Sequence, residues 1–160
     1  ILFRLVGSEM CIRDSLGFSR YSDDWRAVVN DPAVELVSVC TPNDTHAEIS
    51  IAALAAGKHV WCEKPMSTSL ADSQAMTDAA AASSGQTIIG YNYTKNPAVT
   101  HARRLIESGV IGRVAAFFCR YDVDNEADGD RPWSWRMSRD QSGTGANGDV
   151  LSHVISVAHT

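Results

Sequence analysis

The stretch VELVSVCTPNDTHAEISIAALAAGKHVWCEKP, residues 34–65, decides the fold. Its first part, Val34 to Cys40, is an apolar run too short for a helix and rich in β-branched side chains, which reads as a buried strand. Thr41-Pro42-Asn43-Asp44 is turn chemistry, with Asp44 placed to cap the segment that follows. In that segment Ala47, Ile51, Leu54 and Ala55 recur at i, i+4, i+7 and i+8, the spacing of one helix face, and Gly57 falls where a helix C-terminus favours glycine. His59 to Cys62 is a second short apolar strand. Strand, helix and strand in close succession predict a parallel sheet with a right-handed crossover.

Outward from this unit the rhythm continues. Ser69 opens an Ala-rich helix ending near Gly85, and Thr87 to Gly90 reads as a third strand. Upstream, a short helical segment carries Trp25, Val28 and Val29 and is stopped by Asp31-Pro32. Past Tyr91 the pattern changes: Pro97 begins a helix with Val99, Ala102 and Ile106 on one face, Gly109 ends it, and Arg113 to Val123 predicts a long strand. Residues 124–145 are polar and Gly-, Asp- and Ser-rich, hence a loop, and from about Asn147 helical spacing resumes through Val150, Leu151, Val154, Ile155 and Ala158. A new domain is expected to start near residue 93. The opening ILFRLVGSEMCIRDS fits none of this and looks like translated adapter read-through, so residues 1–15 are set aside as a non-native leader. Taken instead as a native first strand, ILFRLVG should run into G-x-G-x-x-G, and only Gly7 is present.

Composition narrows the function classes. The chain has 160 residues, 44% hydrophobic and 21% charged, a globular balance that excludes disorder and coiled coil. Asp and Glu number 19 against 14 Lys and Arg, giving a net charge of -5, and no basic run offers a track for nucleic acid. The apolar runs, such as Val114 to Cys119, fall far short of the roughly 20 residues of a membrane span, and no signal-peptide core is present, so a cytoplasmic protein is expected. Cys11, Cys40, Cys62 and Cys119 show no C-x-x-C spacing and read as reduced core residues.

Three groups of residues can carry chemistry. Thr41, Asn43 and His46 lie in the turn after the first strand, and ligands of open α/β sheets bind beyond the carboxyl ends of the strands. Glu63-Lys64-Pro65 follows the second strand and so stands at the same edge. An ammonium there can hydrogen-bond a substrate hydroxyl or the alkoxide formed from it, and the proline restricts the backbone from which Lys64 projects. Asp149 and His153 lie four apart in a helical pattern, so a proton-accepting imidazole and a carboxylate share a helix face. No third ligand is spaced to join them around zinc, and no metal is expected. Each group has a plainer reading: turn residues, a solvated lysine, an ordinary helix pair. Gly143-Thr144-Gly145-Ala146-Asn147-Gly148 matches G-x-G-x-x-G but follows a polar stretch where the dinucleotide motif requires a strand, and reads as a flexible entry to the last helix.

In order and spacing, VSVCTPN (37–43), His46, AGKHVWCEKP (56–65), IIGYN (88–92), LIESGVIG (105–112) and GDVLSH (148–153) resemble the Gfo/Idh/MocA oxidoreductases, and the resemblance covers nearly all of residues 20–159. It implies an α/β protein: the later part of a Rossmann domain, a doubly wound parallel sheet, over residues 16–92, and the start of an α/β substrate domain with an open sheet over 93–160. It implies NAD or NADP as cofactor, a sugar, polyol or related hydroxyl compound as substrate, and a homo-oligomer. By the same resemblance Lys64, Asp149 and His153 are catalytic: Lys64 bonds the reacting hydroxyl, His153 is the general acid/base, and Asp149 positions substrate and His153. Thr41, Pro42, Asn43, His46, Glu63 and Lys64 would line the cofactor site, Trp135 and Arg136 would reach substrate or cofactor beside Lys64, Asp149 and His153, and the Lys64-Pro65 bond would be cis.

The family's first strand and glycine-rich loop belong upstream of Ser15 and most of its second domain downstream of Thr160. The 160-residue chain alone is therefore expected neither to bind dinucleotide tightly nor to turn over. Two other readings stay open: a non-enzymatic NAD(P)-binding sensor or transcriptional regulator, and a redox-neutral NAD-dependent glycosidase of the same fold.

Overall fold

The computed structural model describes Gly17 and residues 20–124, 127–130 and 132–160. The leader assigned to residues 1–15, with Cys11, lies outside the described residues.

Three strands, β1 (Leu36–Val39), β2 (His59–Cys62) and β3 (Thr87–Ile89), form a parallel sheet in the order β1-β2-β3. Val37 pairs with Val60, Val39 with Cys62, and Cys62 with Ile89. Between β1 and β2 runs α2 (His46–Ala55), and between β2 and β3 runs α3 (Leu70–Ala82), so the predicted strand-helix alternation is realised. α1 (Trp25–Val29) precedes the sheet; the Asp24 carboxylate accepts from the Arg26 N–H at 2.9 Å and starts it. Ser69 caps α3 by accepting from the Asp72 N–H at 3.0 Å while its hydroxyl donates back to the Asp72 carboxylate at 2.7 Å. At the end of α2, Gly57 takes a φ of 73°, and the N–H groups of Gly57 and Lys58 reach the carbonyls of Leu54 and Ala53. This paired closure satisfies two terminal carbonyls and needs the left-handed glycine the sequence supplies.

The core is one cluster: Val28 and Val29 from α1, Val34, Val37 and Val39 around β1, Val60 and Cys62 from β2, Ala47, Ile49, Ala53 and Leu54 from α2, and Met76 from α3. Several expectations are corrected by it. The strand is Leu36–Val39 rather than the whole run to Cys40, and it alternates, with Val37 and Val39 buried and Leu36 exposed. Leu36, Trp61 and Ile88 leave an apolar second sheet face uncovered among the described residues. α2 buries His46, Ala47, Ile49, Ser50, Ala53 and Leu54, with Ile51 half-buried against the core and Ala55 exposed, because it packs against the sheet on one side and α3 on another. Asp44 does not cap it: a 3-10 turn over Asn43–Thr45 intervenes, and no side chain caps the helix. Of the described cysteines, only Cys62 is in the core; Cys40 and Cys119 are exposed thiols.

Beyond β3, a 3-10 turn (Asn92–Lys95) leads into α4 (Pro97–Glu107), capped by the Asn96 side chain and closed at Gly109 as read from the sequence. Residues 113–123, expected as a long strand, have no regular secondary structure and belong to no sheet among the described residues. A strand is held by a neighbour's peptide groups, and among the described residues no strand pairs with them. Phe117 and Phe118 are exposed there, as are Ala102 and Ile106 of α4. The last third holds a 3-10 turn (Trp135–Met137), a short α5 (Arg139–Ser142), a π-helical turn (Asn147–Leu151) and α6 (Ser152–Ala158).

Candidate active site

In a parallel sheet all strands deliver their carboxyl ends to one edge. Three loops leave that edge here: Cys40–Asn43 after β1, Glu63–Pro65 after β2, and Gly90–Tyr93 after β3. The segment from Trp135 to His153 folds over against them and closes a cavity of about 460 Å³. Its walls include Asn43, Lys64, Tyr121, Trp135, Arg136, Asp149 and His153.

Lys64 follows β2, and its bond to Pro65 is cis. Its ammonium donates to the carboxylate of Asp149 and to the Asp149 main-chain carbonyl, the latter at 2.9 Å. Asp149 reaches it from the π-helical turn, a wider coil of the kind often found at functional sites. The second carboxylate oxygen of Asp149 lies 3.8 Å from Nε of Arg136, whose guanidinium stacks 4.4 Å over the Trp135 ring.

His153 opens the cavity's other side from the first turn of α6 and is 8% exposed. Its Nδ1 is buried and has no hydrogen-bond partner among the described residues. Three tyrosines surround the ring instead: Tyr93 at 4.7 Å between centroids and edge-on, Tyr91 edge-on at 6.1 Å, and Tyr121 stacked at 6.1 Å with 12° between planes. Burial pushes the imidazole below the usual histidine range and the Lys64 ammonium adds to this, while the Asp149 and Glu63 carboxylates pull the other way. The neutral, proton-accepting form is thereby favoured.

The structure thus brings Lys64, Asp149, His153, Asn43, Trp135 and Arg136 to one cavity. Asn43 is buried, and its amide donates to the Ser142 carbonyl at 3.1 Å, tying the β1 loop to the opposite wall. Glu63 is half-buried at the end of β2, close against Gly90. Thr41, Pro42 and His46 stand behind the cavity wall. Thr41 holds the hydroxyl of Thr45 at 2.6 Å, and the Pro42 carbonyl accepts from the same hydroxyl at 2.7 Å. His46 is 1% exposed, and its two ring nitrogens face the carbonyls of Pro65 and Thr41, each at 2.9 Å, so it braces two loops from beneath.

The G-x-G-x-x-G match follows α5, not a strand, and its first glycine serves packing as well as a left-handed backbone. Gly143, at φ 75°, lies so close to Thr68 that a Cβ would stand 3.0 Å from the threonine Cβ. Sequence reasoning missed the tyrosines. Tyr91 and Tyr93, just after a strand, had a positional signal; Tyr121, inside a stretch read as an ordinary strand, had none.

A lysine, an aspartate and a histidine converge at the carboxyl edge of a parallel sheet, where open α/β proteins place their ligands, and comparison with known proteins gives the family. The model of an oxidoreductase family with an NAD-binding Rossmann fold matches residues 7–91, and that of the GFO/IDH/MocA C-terminal domain matches residues 99–160. The chain belongs to the Gfo/Idh/MocA oxidoreductase family. It is 43% identical over 142 residues to levoglucosan dehydrogenase of Pseudarthrobacter phenanthrenivorans, covering 89% of this chain and 36% of that protein. To scyllo-inositol 2-dehydrogenase (NAD(+)) of Bacillus subtilis it is 31% identical over 109 residues, covering 68% and 32%. Among solved structures, a levoglucosan dehydrogenase complex with NADH and levoglucosan superposes with a TM-score of 0.84 at 37% identity, over 96% of this chain and 42% of that one. An oxidoreductase domain protein from Kribbella flavida gives 0.85 at 40% identity, over 95% and 40%. The chain therefore spans less than half the length of these relatives. Among its described residues no helix is long and apolar enough to cross a membrane.

Proposed function

We propose that the protein is an NAD- or NADP-dependent dehydrogenase acting on a secondary hydroxyl of a sugar, polyol or related compound, with Lys64, Asp149 and His153 as its catalytic residues. The observation that carries this reading is the convergence of the three side chains, from two distant segments, on one cavity at the carboxyl edge of a parallel sheet. Relatives named as sugar and inositol dehydrogenases support it.

The donor set fits the nicotinamide end of a dinucleotide. Asn43 and Glu63 stand at the ends of adjacent parallel strands beside Lys64, where a ring with a carboxamide finds both acceptors and donors. No glycine-rich turn follows a strand among the described residues, so they account for that end of the cofactor and not for its phosphates. A bound nicotinamide supplies the acceptor for the carbon-bound hydrogen of the alcohol, taken with both electrons of its bond.

The protein's own groups handle the other half of the balance, the hydroxyl proton. Lys64, oriented by its two hydrogen bonds to Asp149, offers a donor to the reacting oxygen and stabilises negative charge developing there. His153, neutral and nearly dry, accepts the proton. Trp135 and Arg136 close the cavity over the substrate and supply an apolar face with a cationic rim.

Residues 16–92 are assigned to the cofactor domain and 93–160 to the beginning of the substrate domain. A cytoplasmic homo-oligomer without nucleic-acid partners completes the proposal. The test is a screen of the full-length gene product over sugars and polyols with both cofactors, followed by nicotinamide absorbance. Turnover that falls about 10²- to 10⁴-fold in His153→Ala and Lys64→Met is expected. A folded, full-length protein inert on every such substrate with either cofactor overturns it.

A further inference from the structure

A histidine that moves protons is commonly oriented by a hydrogen bond from its second nitrogen to a carboxylate or carbonyl. His153 has no such bond. Its Nδ1 is buried without a partner among the described residues, and the carboxylate nearest in sequence, Asp149, is engaged by Lys64. What holds the ring is aromatic. Tyr93 meets it edge-on at 4.7 Å and Tyr121 stacks on it with 12° between planes. These two tyrosines come from separate segments, one just after β3 and one in the stretch 113–123, yet their hydroxyls meet at 2.7 Å and their rings pack edge-on at 5.7 Å. The link closes the two rings into a single unit around the imidazole, within the separations at which aromatic groups attract.

Resting on the reading of His153 as the proton acceptor, we propose that Tyr93 and Tyr121 are positioning residues: a hydroxyl-linked clasp that sets the orientation of the His153 ring in place of a carboxylate. Two features follow from the geometry. Tyr121 also lines the cavity, so the clasp joins the substrate space directly to the ring it holds. Because the hydrogen bond to Tyr93 raises the Tyr121 phenol above its usual range, with burial adding to it, Tyr121 keeps its hydroxyl proton throughout the range in which a histidine titrates.

The groups facing His153 are few enough to separate. Glu63 and Lys64 face it from the end of β2, Asp149 from its own helical segment, Tyr91 and Tyr93 from the β3 loop, and Tyr121 from the stretch 113–123, with Arg136 across the cavity on Asp149. Tyr93→Phe and Tyr121→Phe remove the hydroxyl link and keep both rings; Tyr121→Ala removes the stacked ring and admits water.

The experiment is an NMR titration of ring-labelled histidines in the full-length gene product, with His153 assigned through His153→Gln, paired with steady-state kinetics of the same variants. In Tyr121→Ala the His153 midpoint is expected to rise by about half a unit or more as the ring is rehydrated. Both Phe variants are expected to shift the His153 ring resonances and lower kcat about 3- to 10-fold with KM little changed, the signature of a misplaced proton acceptor. Unchanged His153 resonances and unchanged kcat in both Phe variants overturn the clasp while leaving the dehydrogenase reading intact. Full turnover in His153→Ala overturns the reading beneath it, whatever the tyrosines do.

Discussion

The ammonium of Lys64 donates to two acceptors of one residue, the carboxylate and the main-chain carbonyl of Asp149, across 85 positions of sequence. Two bonds to one partner fix both the position of the lysine and the direction in which its remaining N–H points. The pair is only partly screened, with 16% of the lysine side chain and 35% of the aspartate side chain exposed. A point charge so held is preorganised for an oxygen that gains charge during reaction, and it needs no rearrangement when that charge appears.

Lys64→Met therefore removes more than a charge. Asp149 keeps only the distant Arg136, and its carboxylate is left short of donors. The expected cost in stability is about 1–2 kcal/mol, between the values of exposed and fully buried pairs, read by chemical denaturation. The double variant Lys64→Met, Asp149→Leu is expected to recover most of that stability and none of the turnover. Recovery of turnover in the double variant would remove Lys64 from the chemistry.

The pH dependence follows from His153. Its neutral form is favoured in the folded protein, first by burial and then by Lys64. Alcohol oxidation needs that neutral form, so kcat/KM is expected to rise with pH through a midpoint below the ordinary histidine value of about 6.5. Lys64→Met, measured by the residual rate, should move the midpoint up, and Asp149→Asn should move it down. For stability the sign is set by the unfolded chain, which binds its proton first as pH falls. His153's contribution is complete above about pH 6.5 and is lost as pH falls from there through the folded midpoint. His153→Gln is expected to flatten that part of the stability profile.

The parallel sheet, its order of elements and the grouping of Lys64, Asp149 and His153 in one cavity could be read from the chain because each rests on local signals: apolar runs bounded by turns, Gly57 and Gly109 at helix ends, and short motifs after strands. What could not be read depends on which surface meets which. The periodicity of α2 shows that a face is buried but not which, since the sheet and α3 both claim it, and Ile51 gave way to Ile49 and Ala53. The run 113–123 has strand composition, but strand formation is a property of a pair, and no described neighbour completes it. His46 and the tyrosines show the same limit within the site. A histidine in a ligand-side turn and a tyrosine in an apolar run look alike in sequence whether they face a cavity or support its wall.

His46 yields a prediction that separates support from chemistry. Both ring nitrogens face carbonyls at 2.9 Å in a site that excludes water, so His46→Ala takes the ring N–H from the carbonyl that accepts it, unties the Thr41 and Pro65 loops and opens a small void. The expected destabilisation is about 2–4 kcal/mol. Dinucleotide affinity of the folded fraction should fall only modestly, since no atom of His46 reaches the cavity. A near-normal denaturation midpoint together with a large loss of affinity would mean that His46 meets the cofactor after all.

Gly90 offers the sharpest test of Glu63. The glycine is buried at the end of β3, and an added Cβ would stand 2.9 Å from one carboxylate oxygen of Glu63 and 3.2 Å from the other. That contact is with the far end of a flexible side chain, so Gly90→Ala should be absorbed by swinging the carboxylate aside rather than by shifting backbone, at a stability cost of no more than about 1 kcal/mol. If Glu63 holds the cofactor, displacing it should weaken NAD(H) binding about 5- to 50-fold, the loss expected for one charge-assisted hydrogen bond. Glu63→Gln should lower affinity to a similar degree, and the two changes combined should cost little more than either alone, because they remove the same contact. Additive losses in the double variant would place Gly90 and Glu63 on separate interactions, and unchanged affinity in Glu63→Gln would take Glu63 out of the cofactor site.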